Sequence, residues 1–123
     1  MVDDDPDTRD LLGRVLLECK AEVLSTGDAE EALALVERER PDLLVSDIGM
    51  PNVDGYELLK RIRALGGGKG GRLPAIALTA LARSEDRTRA LRAGFAAHIA
   101  KPVEPAELVA TVASALGRAE GGD

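Results

Sequence analysis

The strongest constraint on this chain is a change of hydrophobic period that recurs along its length. Leu11, Leu12, Val15, Leu16 and Cys19 return at helical spacing. Asp5, Pro6 and Asp7 precede them, placing acidic side chains at the positive end of a helix dipole. Ala21 to Ser25 then read as a short strand, and Thr26-Gly27-Asp28 as a turn ending in a capping residue. Ala29, Ala32, Leu33 and Val36 mark a second amphipathic helix, which Pro41 stops. Leu43-Leu44-Val45-Ser46 is a continuous run of the kind buried on both faces of a sheet, and Asp47 follows it directly.

The alternation continues to the end of the chain. Leu58, Leu59, Ile62 and Leu65 predict a third helix starting near Asp54. Residues 66–71, five glycines and Lys69, read as a flexible loop; Gly70 after Lys69 breaks the spacing of a phosphate-cradling P-loop. Ala75 to Thr79 predict a strand, Ser84 to about Ala93 a helix ended by Gly94, and Ala97 to Ala100 a last strand. Pro105 opens a final helix whose inner stripe is Leu108, Val109, Val112 and Leu116. Five strand-helix units in a row predict an α/β domain: a parallel sheet with helices on both faces, a three-layer α-β-α sandwich. The expected domain runs over residues 1–119, with 120–123 a frayed tail. A first strand is expected before Asp3, yet only Met1 and Val2 stand there, against a usual length of about five residues. Either the first strand is abnormally short or the given sequence begins late.

Composition narrows the function classes. The formal net charge is −6, and no Lys/Arg-rich run interleaves with aromatics, so direct nucleic-acid binding is not expected. Tyr56 and Phe95 are the only aromatic residues, so the core must come from Ala, Val, Leu and Ile. The single cysteine, Cys19, excludes an internal disulfide and reads as a small buried hydrophobe on the first helix. No apolar run approaches the roughly 18 residues that span a bilayer, and no signal peptide is visible. A cytoplasmic location is expected.

In an open parallel sheet, ligands bind at the carboxyl ends of the strands. Asp3 and Asp4 follow the first strand, Asp47 ends the third, Thr79 the fourth and Lys101 the fifth. Three carboxylates gathered at one rim repel one another unless a cation joins them, and hard oxygen donors suit Mg²⁺. A hydroxyl and an ammonium at the same rim can receive phosphoryl oxygens. This is equipment for phosphoryl transfer to a carboxylate, in which positioning and charge neutralisation do most of the work.

On these residues the chain resembles the receiver domain of two-component response regulators. The motifs are Val2-Asp3-Asp4, Ser46-Asp47-Ile48-Gly49-Met50-Pro51, Asp54-Gly55, Thr79-Ala80 and Lys101-Pro102. Each is weak alone; in order, each at its strand end, they form a strong signal over essentially the whole chain. The resemblance implies a doubly wound five-stranded sheet of flavodoxin-like order 2-1-3-4-5. It also implies that Asp47 is the phosphoacceptor, Asp4 a direct Mg²⁺ ligand and Asp3 mainly a water-mediated one. The Gly49 carbonyl would complete the metal shell. Arg9, five residues after Asp4, sets this alignment of the acidic pair. Thr79 falls at the switch hydroxyl, Lys101 at the lysine that pairs with phosphoryl oxygen, Pro102 after a cis bond, and His98 at the rotating aromatic position.

The implied function is a signal receiver. A histidine kinase or histidine phosphotransfer protein would donate to Asp47, and self-catalysed hydrolysis would reset it. Output or self-association would run through the face of the fourth helix, fifth strand and fifth helix. Two settings stay open, a stand-alone regulator and a receiver cut from a hybrid histidine kinase, whose attached receivers the Ala-rich stretch 93–102 resembles. The competing reading is a Mg²⁺-dependent phosphohydrolase with an Asp nucleophile. Haloacid-dehalogenase-like phosphatases place a second Asp two residues after the nucleophile, where this chain has Gly49. A pseudo-receiver serving only as a binding module would lack part of the acidic site, which is complete here.

Overall fold

The computed structural model describes residues 1–49, 53–66, 71–80 and 84–121. In chain order the elements are α1 (Pro6–Glu18), α2 (Ala29–Glu39), β1 (Leu44–Asp47), α3 (Gly55–Ala64), β2 (Ala75–Thr79), α4 (Ser84–Ala93), β3 (Ala97–Ala100) and α5 (Pro105–Gly121). The strands pair in parallel in the order β1-β2-β3, in the register Asp47↔Leu78 and Thr79↔Ala100. The expected first and second strands survive as single parallel bridges, Val2↔Ser46 and Val2↔Thr26. With these, the order across the sheet is Thr26, Val2, β1, β2, β3, the 2-1-3-4-5 topology expected.

Residues 21–25 are therefore not the strand that their sequence predicted. A strand is completed by the ladder of its partner, and at this edge the Thr26 amide donates to the Met1 carbonyl (3.0 Å) and the Met1 nitrogen to the Leu24 carbonyl (2.7 Å). A cavity of about 660 Å³ lies beside this thin edge, lined by Val23, Leu24, Leu43, Leu44, Leu16 and Val36 among others. It sits at the start of β1, away from Asp47 at the strand's other end.

Helix starts follow local chemistry. Asp5 caps α1, accepting from the Asp7 amide, with Pro6 at the first helical position. Asp28 caps α2 and Asp54 caps α3, accepting from the amides of Glu30 and Glu57. Cys19 is exposed at the C-cap of α1 rather than buried, because the helix ends there and Lys20 turns to positive φ (65°). The last helix runs to Gly121, into the segment expected as a tail; its Ala- and Leu-rich sequence carries the helix through Gly117, and residues 122–123 lie outside the described ones. So do residues 67–70 of the expected flexible loop. At its ends, the Gly71 amide donates to Gly66 (2.9 Å), and the Arg63 guanidinium donates to the carbonyls of Gly71 (2.9 Å) and Leu73 (2.6 Å).

The core forms on both sides of the sheet. Val2, Leu44, Ala75 and Ala77 face α2, α3 and α4, meeting Ala32, Val36, Leu58, Leu59, Ile62, Ala90 and Phe95. Val45, Ile76, Leu78 and Ile99 face α1 and α5, meeting Leu12, Leu108 and Ala115. Phe95 and Tyr56 stack edge-to-face at 6.2 Å, and the Arg89 guanidinium lies 4.2 Å above the Tyr56 ring. Small aliphatic residues thus fill both layers, as the scarcity of aromatics requires. Among the described residues no helix is long and apolar enough to cross a membrane.

Adjacent leucines on α1 test this layering. Leu12 is 0% exposed and Leu11 52%. Leu12→Ala is expected to cost about 2–5 kcal/mol in urea unfolding, and Leu11→Ala no more than about 0.5 kcal/mol.

Candidate functional site

The residues expected at the rim are brought together. Val2 places the acidic pair: its amide donates to the Val45 carbonyl (2.8 Å) and its carbonyl accepts from the Asp47 amide (2.8 Å). Asp3 and Asp47 therefore leave neighbouring strands side by side. One carboxylate oxygen from each of Asp3, Asp4 and Asp47 lies within 4.8 Å of the others.

Each carboxylate has its own setting. Asp3 is wholly buried (0% exposed), with hydrogen bonds at its backbone and Oδ1 and an ion pair at Oδ2. Its amide donates to the Thr26 carbonyl (3.1 Å), and its carbonyl accepts from Arg9 Nη1 (2.6 Å). Its Oδ1 accepts from the Asp5 amide (2.9 Å), and its Oδ2 meets Lys101 Nζ at 2.9 Å. Asp47 is 6% exposed; its Oδ1 accepts from the Gly49 amide (3.3 Å) and lies 3.4 Å from Lys101 Nζ. Asp4 is exposed.

Lys101 reaches the site because β3 ends beside β2. The Lys101 amide donates to the Thr79 carbonyl (2.7 Å), and the Lys101–Pro102 bond is cis. Thr79 closes β2 one residue beyond the level of Asp47. His98 pairs in register with Ala77, so it shares the sheet face toward α3 and α4. Its Nε2 is buried without a hydrogen-bond partner among the described residues. Gly49 lies on the exposed turn after β1, and residues 50–52 that follow are outside the described ones.

Gly55 explains how α3 seats against this rim. A Cβ at Gly55 would stand 2.5 Å from the Asp47 carbonyl oxygen and 2.9 Å from Ile48 Cα, both backbone atoms that cannot yield. The Gly55 amide donates to Ile48 (3.0 Å), and the Ile48 amide to Leu78 (2.9 Å). The sequence motif Asp54-Gly55 thus combines a helix cap with a close approach that only glycine allows.

The electrostatics agree with the crowding. Burial raises the pKa of Asp47, and the Asp3 carboxylate raises it further, against the opposing pull of the Lys101 ammonium. Burial alone would lower the pKa of Lys101, but its bond to Asp3 and the attraction of Asp3 and Asp47 raise it overall. When all are ionised, three carboxylates against one ammonium leave a double negative charge, which a divalent cation matches. The donors are hard oxygens, and exposed Asp4 leaves an open side for water, so the residues fit Mg²⁺.

Arg9 and Gly27 are the residues of this region that sequence reasoning did not resolve. Arg9 stood only as an alignment mark, and Gly27 only as a turn residue. The contact between them depends on the fold, and no spacing signals it.

A parallel sheet with helices on both faces and an acidic cluster at its switch point defines a receiver-type α/β domain. The family model described as the response regulator receiver domain matches residues 1–113, and the chain belongs to that family. An uncharacterised 14.6 kDa protein of Leptolyngbya boryana is 57% identical over 113 residues, covering 91% of this chain and 84% of the relative. A probable transcriptional regulator, ycf27 of Porphyridium aerugineum, is 38% identical; the match covers 98% of this chain but only 48% of the regulator's length. Among solved structures, the receiver domain of the Pseudomonas aeruginosa sensor histidine kinase PA1611 superposes with a TM-score of 0.83 at 34% identity, covering 94% of this chain and 93% of the other. That structure holds a magnesium ion in its active-site cleft.

The raised Asp47 pKa carries a stability prediction. A carboxyl that holds its proton more tightly in the folded state opposes folding once pH exceeds its folded value, and that penalty fades as pH falls toward the unfolded value near about 3.9. In metal-free buffer at pH 7, Asp47→Asn is therefore expected to raise the urea midpoint, with the advantage shrinking toward about pH 4. Urea titrations of both proteins across that range check the sign.

Proposed function

We propose that this receiver domain is a phosphoacceptor whose acceptor is Asp47. The observation that carries the reading is the convergence on Asp47 of two further carboxylates and the Lys101 ammonium. A phosphohistidine on a histidine kinase or phosphotransfer protein is the donor. An Asp47 carboxylate oxygen forms the new O–P bond as the N–P bond breaks, and the imidazole leaves with its electron pair.

The chain's own residues prepare this step. The Gly49 amide and Lys101 meet the same oxygen of Asp47, which orients the carboxylate. Lys101 lies within reach of both Asp3 and Asp47, so its charge can turn to a phosphoryl oxygen without leaving the rim. Thr79, closing the adjacent strand, is the hydroxyl that follows the phosphoryl group. Asp4, Asp47 and the Gly49 carbonyl would hold Mg²⁺, with Asp3 acting through water. When bound, the cation neutralises charge on the phosphoryl oxygens.

The response is a population shift between two states of the face formed by α4, β3 and α5 and of the segment after Thr79, whose residues 81–83 lie outside the described ones. His98 takes part through its buried Nε2, which has no hydrogen-bond partner among the described residues. Output passes to a partner or attached domain through that face. Gly49 offers no acid/base group beside the acceptor, which favours one stored phosphoryl group over repeated hydrolysis of phosphoesters.

Incubation with phosphoramidate and Mg²⁺ is expected to add the mass of one phosphoryl group, seen by intact mass spectrometry. Asp47→Asn is expected to abolish the adduct; an undiminished adduct would refute the assignment. Steady release of phosphate from many small phosphoesters would instead favour the phosphohydrolase. In calorimetric titration, Asp4→Asn is expected to weaken Mg²⁺ binding by at least about tenfold.

A further inference from the structure

Asp3 and Asp4 depend on very little regular structure. Val2 is the one bridged residue of their strand, and the chain leaves the sheet immediately after Asp3. What aims the next residue is the Asp3–Asp4 peptide plane, because the Asp3 carbonyl and the Asp4 amide belong to one rigid unit. Arg9 Nη1 donates to that carbonyl at 2.6 Å from the second turn of α1.

The guanidinium is held from the other side by Gly27. A Cβ at position 27 would stand 2.5 Å from Arg9 Nη1 and 3.4 Å from Cζ, but 3.5 Å from the Asp3 carbonyl oxygen, an ordinary contact. Gly27 follows Thr26, whose backbone pairs with Met1 and Asp3. The guanidinium thus lies between the start of the chain and the turn into α2. Its cationic end is directed at a backbone carbonyl, so the excess negative charge of the three carboxylates stays available to a metal ion.

We propose that Arg9 and Gly27 form a clamp that positions the Asp3–Asp4 turn and sets the affinity of the acidic cluster for a divalent cation. Arg9 is a positioning residue that acts through the Asp3 carbonyl, and Gly27 is the space that lets it do so. The inference rests on the reading of Asp3, Asp4 and Asp47 as a Mg²⁺ site. It adds two residues that are not ligands.

Two substitutions reach the same bond from opposite sides. Arg9→Met removes the donor. Gly27→Ala keeps the arginine but displaces the flexible end of its side chain and leaves the backbone undisturbed. Mg²⁺ binding is measured by calorimetry on the full chain, with urea unfolding in parallel. Both single variants are expected to weaken Mg²⁺ by about tenfold, with Gly27→Ala unfolding close to wild type. The double variant is expected to be no weaker than Arg9→Met alone, because the two changes break one contact.

Wild-type affinity in Gly27→Ala overturns the clamp while leaving the metal site intact. Losses that multiply in the double variant also overturn it, since the residues would then act separately. A folded wild-type chain that fails to bind Mg²⁺ overturns the metal reading and the clamp with it. If Arg9→Met fails to fold, Gly27→Ala alone decides the matter through its affinity.

Discussion

Four backbone hydrogen bonds around Val2 hold the two halves of this domain together at the functional rim. Val2 exchanges two with Val45 and Asp47, and its neighbours Met1 and Asp3 exchange two with Thr26. Through them the acidic pair is set against Asp47, and the turn into α2 is fastened to the sheet. The longer β1-β2-β3 pairing carries Thr79 and Lys101 to the same edge.

The site is electrostatically costly by construction. Asp3 and Asp47 are buried carboxylates side by side, each drawn to the same ammonium. Burying charge is unfavourable unless it is paired and hydrogen-bonded. Asp3 is hydrogen-bonded at its carbonyl and Oδ1 and ion-paired at Oδ2, whereas Asp47 remains crowded and its proton affinity rises. Stability is therefore spent at an acidic cluster whose excess negative charge attracts a divalent cation.

Much of this was legible in the sequence because the signals were local or periodic. Asp5, Asp28 and Asp54 cap helices where their side chains predict, and β2, β3 and the start of α5 follow from apolar runs and Pro105. The rim residues could be gathered because each ends a strand, and strand ends are read from the runs that precede them. The failures share a different cause. Residues 21–25 have strand composition, but pairing is a property of two segments and cannot be read from one. Cys19 continues a helical stripe in sequence, yet the helix stops before the stripe can bury it. The Arg9–Gly27 contact joins residues from separate turns and leaves no pattern to read.

The close approach of Gly55 to Asp47 has a mechanical consequence. Backbone packs on backbone there, and Ile48 is tied at once to α3 and to β2. That side of the rim is stiff, so a disturbance at the Asp47 carboxylate cannot be absorbed by α3 sliding away. α3 is thus the fixed wall of the acidic rim, against which the backbone of Asp47 and Ile48 is braced.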